Sequence, residues 1–305
     1  LISHAARKGL EEILGDQVRF DFPLARCTSL RVGGPVDALA TPTSREQIVR
    51  TLSLCAELGI PHYAIGAGFN LLALDEPLAG VVLQLGKLRR LDAAPDGGVR
   101  AEAGVSHSQV TRFCVERGLS GMEFACGIPG SVGGWIAMNA GVPDREMKDV
   151  VRAVEVIVAG AEQSQWIPRE ALSFEYRALE GLDAGSVIVA AAFEVSVSTR
   201  DAVQTEVDRL LARRSATQPL NVPSCGSVFK NPPGDFAGRL IEAAGLKGRR
   251  RGGAEFSRVH ANFIANVGGA SAADILGLIE EAREAVRQHD GTVLVPEVRI
   301  LGGDT

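Results

Sequence analysis

Two glycine-rich segments are the places where this chain can bring bare backbone against a ligand. The first, Gly66-Ala67-Gly68-Phe69-Asn70, follows a short apolar run. It opens as G-x-G but lacks the third glycine of a dinucleotide fingerprint, and it leads into Leu71 and another apolar run rather than a helix. It is therefore not a Rossmann loop. Its amide N–H groups could face outward as an anion nest, and a plain hairpin connection accounts for it as well. The second, Gly127-Ile128-Pro129-Gly130-Ser131-Val132-Gly133-Gly134, combines one turn fixed by Pro129 with four glycines that permit close approach or positive φ. Ser131 suits the N-cap of the turn that follows, whose N-terminus could receive a phosphate. A tight structural crossover is the plain alternative. Both loops lie in the first half of the chain, which suggests one extended ligand, such as FAD, lying across them.

Other reactive side chains are less telling one by one. Ser227, between Gly226 and Val228, has the context of a turn residue; Arg177 behind Tyr176 has that of a surface cation, and Glu297 that of an exposed carboxylate before a strand. Cys27, Cys55, Cys114, Cys126 and Cys225 form no C-x-x-C pair and are odd in number, which points to free thiols in a reducing compartment. Cys126 adjoins the second loop and could carry a flavin covalently, although a buried thiol is the plainer reading. Cys225 is an alternative nucleophile beside Ser227. His260 reads as a core or turn histidine bonding backbone. His4, His62, His107 and His289 have no metal-binding spacing, and no metal is expected. Lys247 and Arg249–Arg251 read as a solvated basic loop.

The elements that must position these residues follow from patterning. Residues 1–24 read as a short helix and a connector, 37–43 as a strand, and 44–59 as an amphipathic helix capped by Ser44. The runs 61–66 and 80–85 are short, apolar and bounded by Gly and Pro, so they read as buried strands on either side of the first loop. A strand at 99–104 and a helix at 106–118 precede the second loop. Strands follow at 149–160 and 186–198, the latter apolar enough to be buried on both faces, then a helix at 201–214. Beyond Pro219 come a loop-rich stretch, a helix at 235–246, a strand at 262–268, a helix at 271–291 capped by Ser271, and a terminal strand at 293–301. The mixture has no regular βαβ period, which predicts α+β domains with a boundary in the region 200–220.

Composition excludes several classes of function. With 305 residues and 46% hydrophobic residues the chain can build a large core without disulfide or metal staples. A net charge of -5 gives no bulk attraction to nucleic acid or to an anionic membrane. The opening LISHAARKGLEEILG lacks an apolar core of signal-peptide type, and the longest uncharged stretch, Phe124 to Pro143, is broken by glycines and prolines. The expectation is a cytoplasmic protein with neither nucleic-acid nor membrane partners, whose phosphate-bearing ligands are held by local sites.

Read together, several segments resemble the UDP-N-acetylenolpyruvoylglucosamine reductases. They are TSLRVGGPVDAL (28–39), IGAGFNLLALD (65–75), GIPGSVGGWIAMNAG (127–141), FEYR (174–177), QPLNVPSCGSVFKNP (218–232), LIEAAGLKG (240–248), GGAEFSRVHANFIAN (252–266) and PEVRILG (296–302). Each is weak alone; their order and spacing over nearly the whole chain are specific, and the ending resembles the shorter form of the family. The resemblance implies an α+β fold: a two-subdomain FAD-binding module of the vanillyl-alcohol-oxidase type, with subdomains at 1–89 and 90–205, and a C-terminal α+β substrate domain at 206–305. It implies non-covalent FAD, NADPH as hydride donor, and a monomeric enzyme of bacterial peptidoglycan precursor synthesis. The enolpyruvyl ether of UDP-N-acetylglucosamine would take hydride from flavin N5 at C3 and a proton at C2, giving UDP-N-acetylmuramate.

Residue roles carried by the resemblance are these. The proton donor falls on Ser227, with Arg177 and Glu297 as the other catalytic residues. Substrate contacts fall on Tyr176, Arg214, Lys230 and Asn231. Cofactor contacts fall on Arg31, Gly33, the 66–71 loop from Gly66 to Leu71, the loop residues Gly127 to Ser131 with Gly133 and Gly134, and Asn139. Hydride addition at C3 pushes charge into an aci-carboxylate, which needs prepositioned charge and donors. Arg177 offers a permanent forked cation, and Glu297 contributes as a neutral acid or as the positioner of a donor. The chain departs from the family at Phe69, where Ser is usual, at Trp135, where a small residue is usual, at Asn139–Asp144, which reads NAGVPD, and at Leu179. A flavin oxidase of the same fold and a non-catalytic flavin- or sugar-nucleotide-binding protein are the competing classes.

Overall fold

The computed structural model of the chain describes residues 1–94 and 97–303. Its contacts divide into two compact units. The first comprises Leu1–Asp21, Asp37–Ala67 and Ala79–Arg214; the second comprises Phe22–Val36, Gly68–Leu78 and the chain from Ser215 onward. The chain thus leaves the first unit twice for short excursions before its final departure.

In the first unit a four-stranded sheet runs in the order Val18–Pro23, Pro35–Ala40, Leu78–Gln84, His62–Ile65. The predicted strands at 61–66 and 80–85 pair in parallel, with His62 opposite Val81 and Ile65 opposite Gln84. The Arg45–Glu57 helix begins where Ser44 accepts a hydrogen bond from the Gln47 N–H at 3.2 Å, and its Cys55 packs with Leu10, Leu14, Ala38 and Val81. A second sheet has the order Gln165–Pro168, Val151–Ile157, Val187–Phe193, Val99–Glu102, Leu91–Ala93. The expected two-sided burial of Val187–Phe193 is met, because this strand lies at the sheet centre and five consecutive residues from its start are buried. The His107–Arg117 helix starts in a capping box of Ser106 and Gln109 and stops at Gly118 in the left-handed region.

The second unit is built on an antiparallel sheet of Ser224–Ser227, Phe263–Asn266, Ala254–Phe256 and Arg250–Arg251. The Ala237–Ala243 and Ala272–Asp290 helices pack into a core with Phe229, Phe256 and Ile264, to which the early segments add Leu30, Val32 and Leu72. Ser271 and Asp274 form the expected capping box of the long helix. Two predicted elements differ. Only Arg299–Leu301 of the terminal run forms a ladder, in parallel with Leu71–Ala73 at the start of the apolar run that follows the first glycine-rich loop. Residues before it are held by single contacts around Pro296, which has no N–H to give to a ladder. Val18–Pro23 is likewise a strand where a connector was expected.

A buried ionic cluster ties the helix Arg45–Glu57 to the five-stranded sheet. Arg45 donates to Glu155 at 2.8 and 2.6 Å and to Glu102 at 2.8 Å. Burial pushes the Glu155 carboxyl up, but hydrogen bonds from Arg45 and Ser164 outweigh it and hold the group below the usual carboxylate range. A carboxyl depressed in the folded state contributes stability above its unfolded pKa and loses it as pH falls through the folded value. Glu155→Ala should cost about 2–3 kcal/mol at pH 7, less than the ~3–5 of a fully buried pair because Arg45 is partly exposed. Urea melts should show the difference between the two proteins shrinking below about pH 4.

Candidate functional site

The two glycine-rich loops meet within the first unit. A Cβ at Gly66 would stand 2.4 Å from Ser131 Oγ, so only glycine allows the approach. Both residues line a cavity of about 310 Å³ whose walls include Thr41, Gln84, Lys87, Arg89 and Ser106. Ser131 is 3% exposed, and its hydroxyl has no hydrogen-bond partner among the described residues. A buried hydroxyl without a partner is costly unless a ligand completes it. The unpartnered hydroxyl, the glycine cradle and the Lys87 and Arg89 side chains together fit an anionic group such as the pyrophosphate of FAD. The volume is at the small end of the ~300–1,000 Å³ usual for ligand sites, so it would receive one portion of a dinucleotide.

The helix-dipole reading of this loop is corrected. Ser131 occupies the N-cap position of Val132–Ala137, yet its side chain makes no capping bond. The first two amides are also committed, Val132 N–H to Val105 O at 3.0 Å and Gly133 N–H to Ala103 O at 2.9 Å. Gly133 owes its type to the close backbone contact with Ala103, whereas a Cβ at Gly134 would enter open space. Gly130 accepts from His107 N–H at 3.3 Å, and Ile128 accepts from the Trp135 indole N–H at 3.2 Å, so buried Trp135 braces the loop next to Pro129. Arg214 lies on Gly127, where a Cβ would be 2.7 Å from Arg214 Cδ. Burial pushes the Cys126 thiol up to about 11, which removes the thiolate that covalent flavin attachment would need.

Arg177 sits in a turn of unusual geometry. Ser173–Glu175 pairs with Ala178–Glu180, leaving Tyr176 and Arg177 as the two turn residues. Arg177 has φ 60, a conformation that costs a non-glycine residue roughly 1–2 kcal/mol. Its guanidinium donates to Glu146 Oε1 at 3.1 Å and to Gly141 O at 3.3 Å and lies 4.8 Å from the centroid of the Tyr176 ring. Asn139, expected to contact the cofactor, is fully buried, and its amide donates to Glu146 at 2.9 Å and to Glu175 O at 2.9 Å while accepting from Lys148 N–H at 3.0 Å. Its side chain organises the turn.

In the second unit the segments bearing Ser227 and Glu297 are hydrogen-bonded neighbours. Gly226, at φ 90, lies within a register shift between Ser224 and Ser227, and such a bulge re-aims the side chain that follows. Val228 O accepts from Glu297 N–H at 2.7 Å, and Lys230 N–H donates to Val295 O at 2.9 Å. Buried Asn262 grips the other side, donating to Phe229 O and accepting from Phe229 N–H at 2.8 and 2.9 Å. Asn70 Nδ2 donates to Glu297 O at 3.1 Å, and Leu71 enters the strand that follows. Burial and then the Glu297 charge push the Cys225 thiol up to about 12, which removes the thiolate that a nucleophile here would need. Asn231 accepts from Ala237 N–H at 3.1 Å and so caps the Ala237–Ala243 helix. His260 accepts from the Asn262 N–H at 3.2 Å, as a turn histidine should.

Gly33 and Gly68 serve packing inside this unit: Cβ atoms there would lie 2.6 Å from Ala73 Cβ and 1.8 Å from Cys27 O. Arg31 (φ 55) is exposed in the adjoining turn, Phe69 is exposed, and Ala67 lines the first unit's cavity. Sequence reading missed Lys87, Arg89, Glu146, Lys148 and Asn262. The basic run after the 80–85 strand was the signal for the first two; the others needed tertiary structure.

A profile of the FAD binding domain matches residues 36–164, and one of the UDP-N-acetylenolpyruvoylglucosamine reductase C-terminal domain matches 218–301. A UDP-N-acetylenolpyruvoylglucosamine reductase of Syntrophus aciditrophicus is 44% identical over 98% of this chain and 96% of its own length. One from Geobacter sulfurreducens is 42% identical over 96% of each chain. The crystal structure of UDP-N-acetylenolpyruvylglucosamine reductase from Thermus caldophilus superposes with a TM-score of 0.81 at 33% identity, covering 93% of this chain and all of that one. A likeness in fold alone extends to alkyldihydroxyacetonephosphate synthase, with a TM-score of 0.50 at 14% identity over 65% of this chain and 42% of that one.

The Gly66–Ser131 contact yields a test. Ser131→Ala should weaken FAD binding ~10–100-fold if its hydroxyl meets a charged acceptor. Gly66→Ala should lower flavin content at least as much, and adding Ser131→Gly to it should restore part of the loss. The ratio of flavin to protein absorbance after gel filtration reads all three.

Proposed function

The chain belongs to the UDP-N-acetylenolpyruvoylglucosamine reductase family and is an FAD-dependent oxidoreductase, and on that premise we propose that it uses NADPH to reduce UDP-N-acetylglucosamine enolpyruvate to UDP-N-acetylmuramate, with Ser227 as proton donor. The observation that carries this reading is the pairing of Val228 with Glu297, which makes neighbours of the segments bearing Ser227 and Glu297. When bound, FAD would supply two-electron hydride chemistry between NADPH and the enolpyruvyl ether. Ser227 gives its hydroxyl proton to C2. Arg177 balances the negative charge that grows on the substrate carboxylate, and Glu297 serves as a neutral acid or orients a donor.

Gly66, Ala67, Gly127–Gly130 and Ser131 would line the cofactor, with Lys87 and Arg89 facing its phosphates. Tyr176, Arg214, Lys230 and Asn231 would hold the substrate; Asn231 keeps its amide N–H₂ for this after capping its helix. The division 1–89, 90–205 and 206–305 remains the proposed assignment of two cofactor subdomains and a substrate domain, with 22–36 and 68–78 lent to the last. All five cysteines are free and buried, which supports a reducing, cytoplasmic setting, and we take the working enzyme to be a monomer. Among the described residues no helix is long and apolar enough to cross a membrane.

Two measurements test the reading. Acid precipitation should leave yellow flavin in the supernatant, whereas colour in the pellet would indicate covalent attachment. In anaerobic stopped flow, Ser227→Ala should bleach with NADPH at a near-native rate and recolour with substrate ~10²–10⁴-fold more slowly. Ser227→Cys should recover part of that loss, and Cys225→Ala should leave both half-reactions unchanged. Normal recolouring in Ser227→Ala would move the proton to another group.

A further inference from the structure

Asn262 does with one side chain what a neighbouring strand would do for the segment after Ser227. The ladder between Ser224–Ser227 and Phe263–Asn266 ends at the pair Ser227–Phe263. Just beyond it, Val228 N–H reaches Asn262 O at 2.8 Å. Phe229 then bonds the Asn262 side chain: Oδ1 accepts from Phe229 N–H at 2.9 Å, and Nδ2 donates to Phe229 O at 2.8 Å. This is the donor–acceptor pair of a backbone in side-chain form, and both residues are buried. Asn262 is itself held, because its N–H donates to His260 Nδ1 at 3.2 Å. Gly238 closes over it, where a Cβ would lie 3.6 Å from Asn262 Cβ.

The backbone reaches Ser227 irregularly, through Gly226 at φ 90 and a register shift. Such an approach leaves the aim of the serine to the residues that follow it. Those residues are gripped from two directions. Val228 O accepts from Glu297 N–H at 2.7 Å and from Val298 N–H at 3.3 Å, and Lys230 N–H donates to Val295 O at 2.9 Å. Asn262 supplies the opposing grip on Phe229. Without its amide, a buried N–H and a buried carbonyl would both lack partners, a cost the segment can relieve only by shifting. Ser227, two residues back, would shift with it.

We propose that Asn262 is the positioning residue of Ser227, fixing the direction in which the hydroxyl presents its proton to the substrate. The inference rests on the reading of Ser227 as proton donor. It makes the second half-reaction, and not the first, depend on a side chain that touches no reacting atom.

The test follows recolouring of NADPH-reduced holoenzyme at saturating enolpyruvyl substrate, together with amide hydrogen exchange over residues 228–230. Asn262→Ala should speed that exchange and slow limiting recolouring ~10²-fold by misplacing the hydroxyl, with bleaching by NADPH unchanged. The solvent deuterium isotope effect on its recolouring should rise above that of wild type. In a Ser227→Ala background Asn262→Ala should add no more than about a twofold loss, since both act through one hydroxyl. Asn262→Asp keeps the shape of the clamp. Its protonated carboxyl donates to Phe229 O and accepts from Phe229 N–H, whereas its carboxylate opposes that carbonyl. Burial favours the protonated form, so recolouring of Asn262→Asp relative to wild type should climb as pH falls from about 8 to about 5.5. His260 is the titratable side chain bonded to Asn262; burial and then Lys247 hold it below the usual imidazole range against the pull of Glu242, and the ratio to wild type cancels its titration. Prepared at the lower pH, Asn262→Asp keeps the clamp and decides the matter even where Asn262→Ala does not fold. Faster exchange with native recolouring reduces Asn262 to a structural clamp and overturns the proposal. An additive loss in the Ser227→Ala background, or a ratio indifferent to pH, overturns it as well. Native recolouring in Ser227→Ala alone overturns the underlying reading of Ser227 instead.

Discussion

Asn70 holds the second unit in register. In the left-handed region at φ 54, it gives its backbone N–H to Cys225 O, accepts from Arg299 N–H, and sends its side-chain amide to Glu297 O. Three segments far apart in the chain are set against one another by a single residue: the loop that follows Gly68, the strand that ends at Ser227, and the segment that carries Glu297. Asparagine suits this post because it tolerates positive φ better than other side chains and has a donor to spare. The exposed Phe69 before it leaves these three bonds untouched.

In the first unit several loop residues owe their type to packing and hydrogen bonding within the fold. Asn139 orders the turn of Arg177, Gly133 lets a helix close on Ala103, and Trp135 fills the core while its indole N–H holds the Ile128 carbonyl. Trp135 is 2% exposed with its N–H satisfied, so the large ring is accommodated in the core. The net charge of -5 says little about the ligand, since Lys87 and Arg89 supply the cavity's cations locally.

Much of this was legible from patterning. The helices at 44–59, 106–118 and 271–291 were readable because serine caps and apolar periodicity agree, and the structure uses those same serines. What was missed is short or poorly contrasted. Val18–Pro23 alternates in burial, but its pattern adjoins a 3-10 turn and ends at a proline. The ladder of Leu71–Ala73 has three residues, and its partner at Arg299–Leu301 lies near the other end of the chain, beyond any local window. For the site, glycine-rich loops revealed that two segments had close approaches to make, but not what they approached. Gly66 meets Ser131 across the cavity, while Gly68 two residues on meets Cys27 backbone, and no sequence rule distinguishes the two. The Glu146 and Asn262 grips depend on pairings made only in the folded chain.

The excursions of residues 22–36 and 68–78 into the second unit bear on how the protein is made. As the chain emerges from a ribosome, Leu30, Val32 and Leu72 appear early, yet the core that receives them is supplied by residues beyond Ser215. Asn70 and Glu297 are 227 residues apart, and their bond closes only when synthesis is almost complete. Long loop closures of this kind slow folding, and the waiting segments expose apolar side chains meanwhile. The second unit is thus no detachable module. A fragment beginning after Arg214 would lack part of its own core and the strand that pairs with its last one, so the second unit needs the early segments of the same chain to complete it.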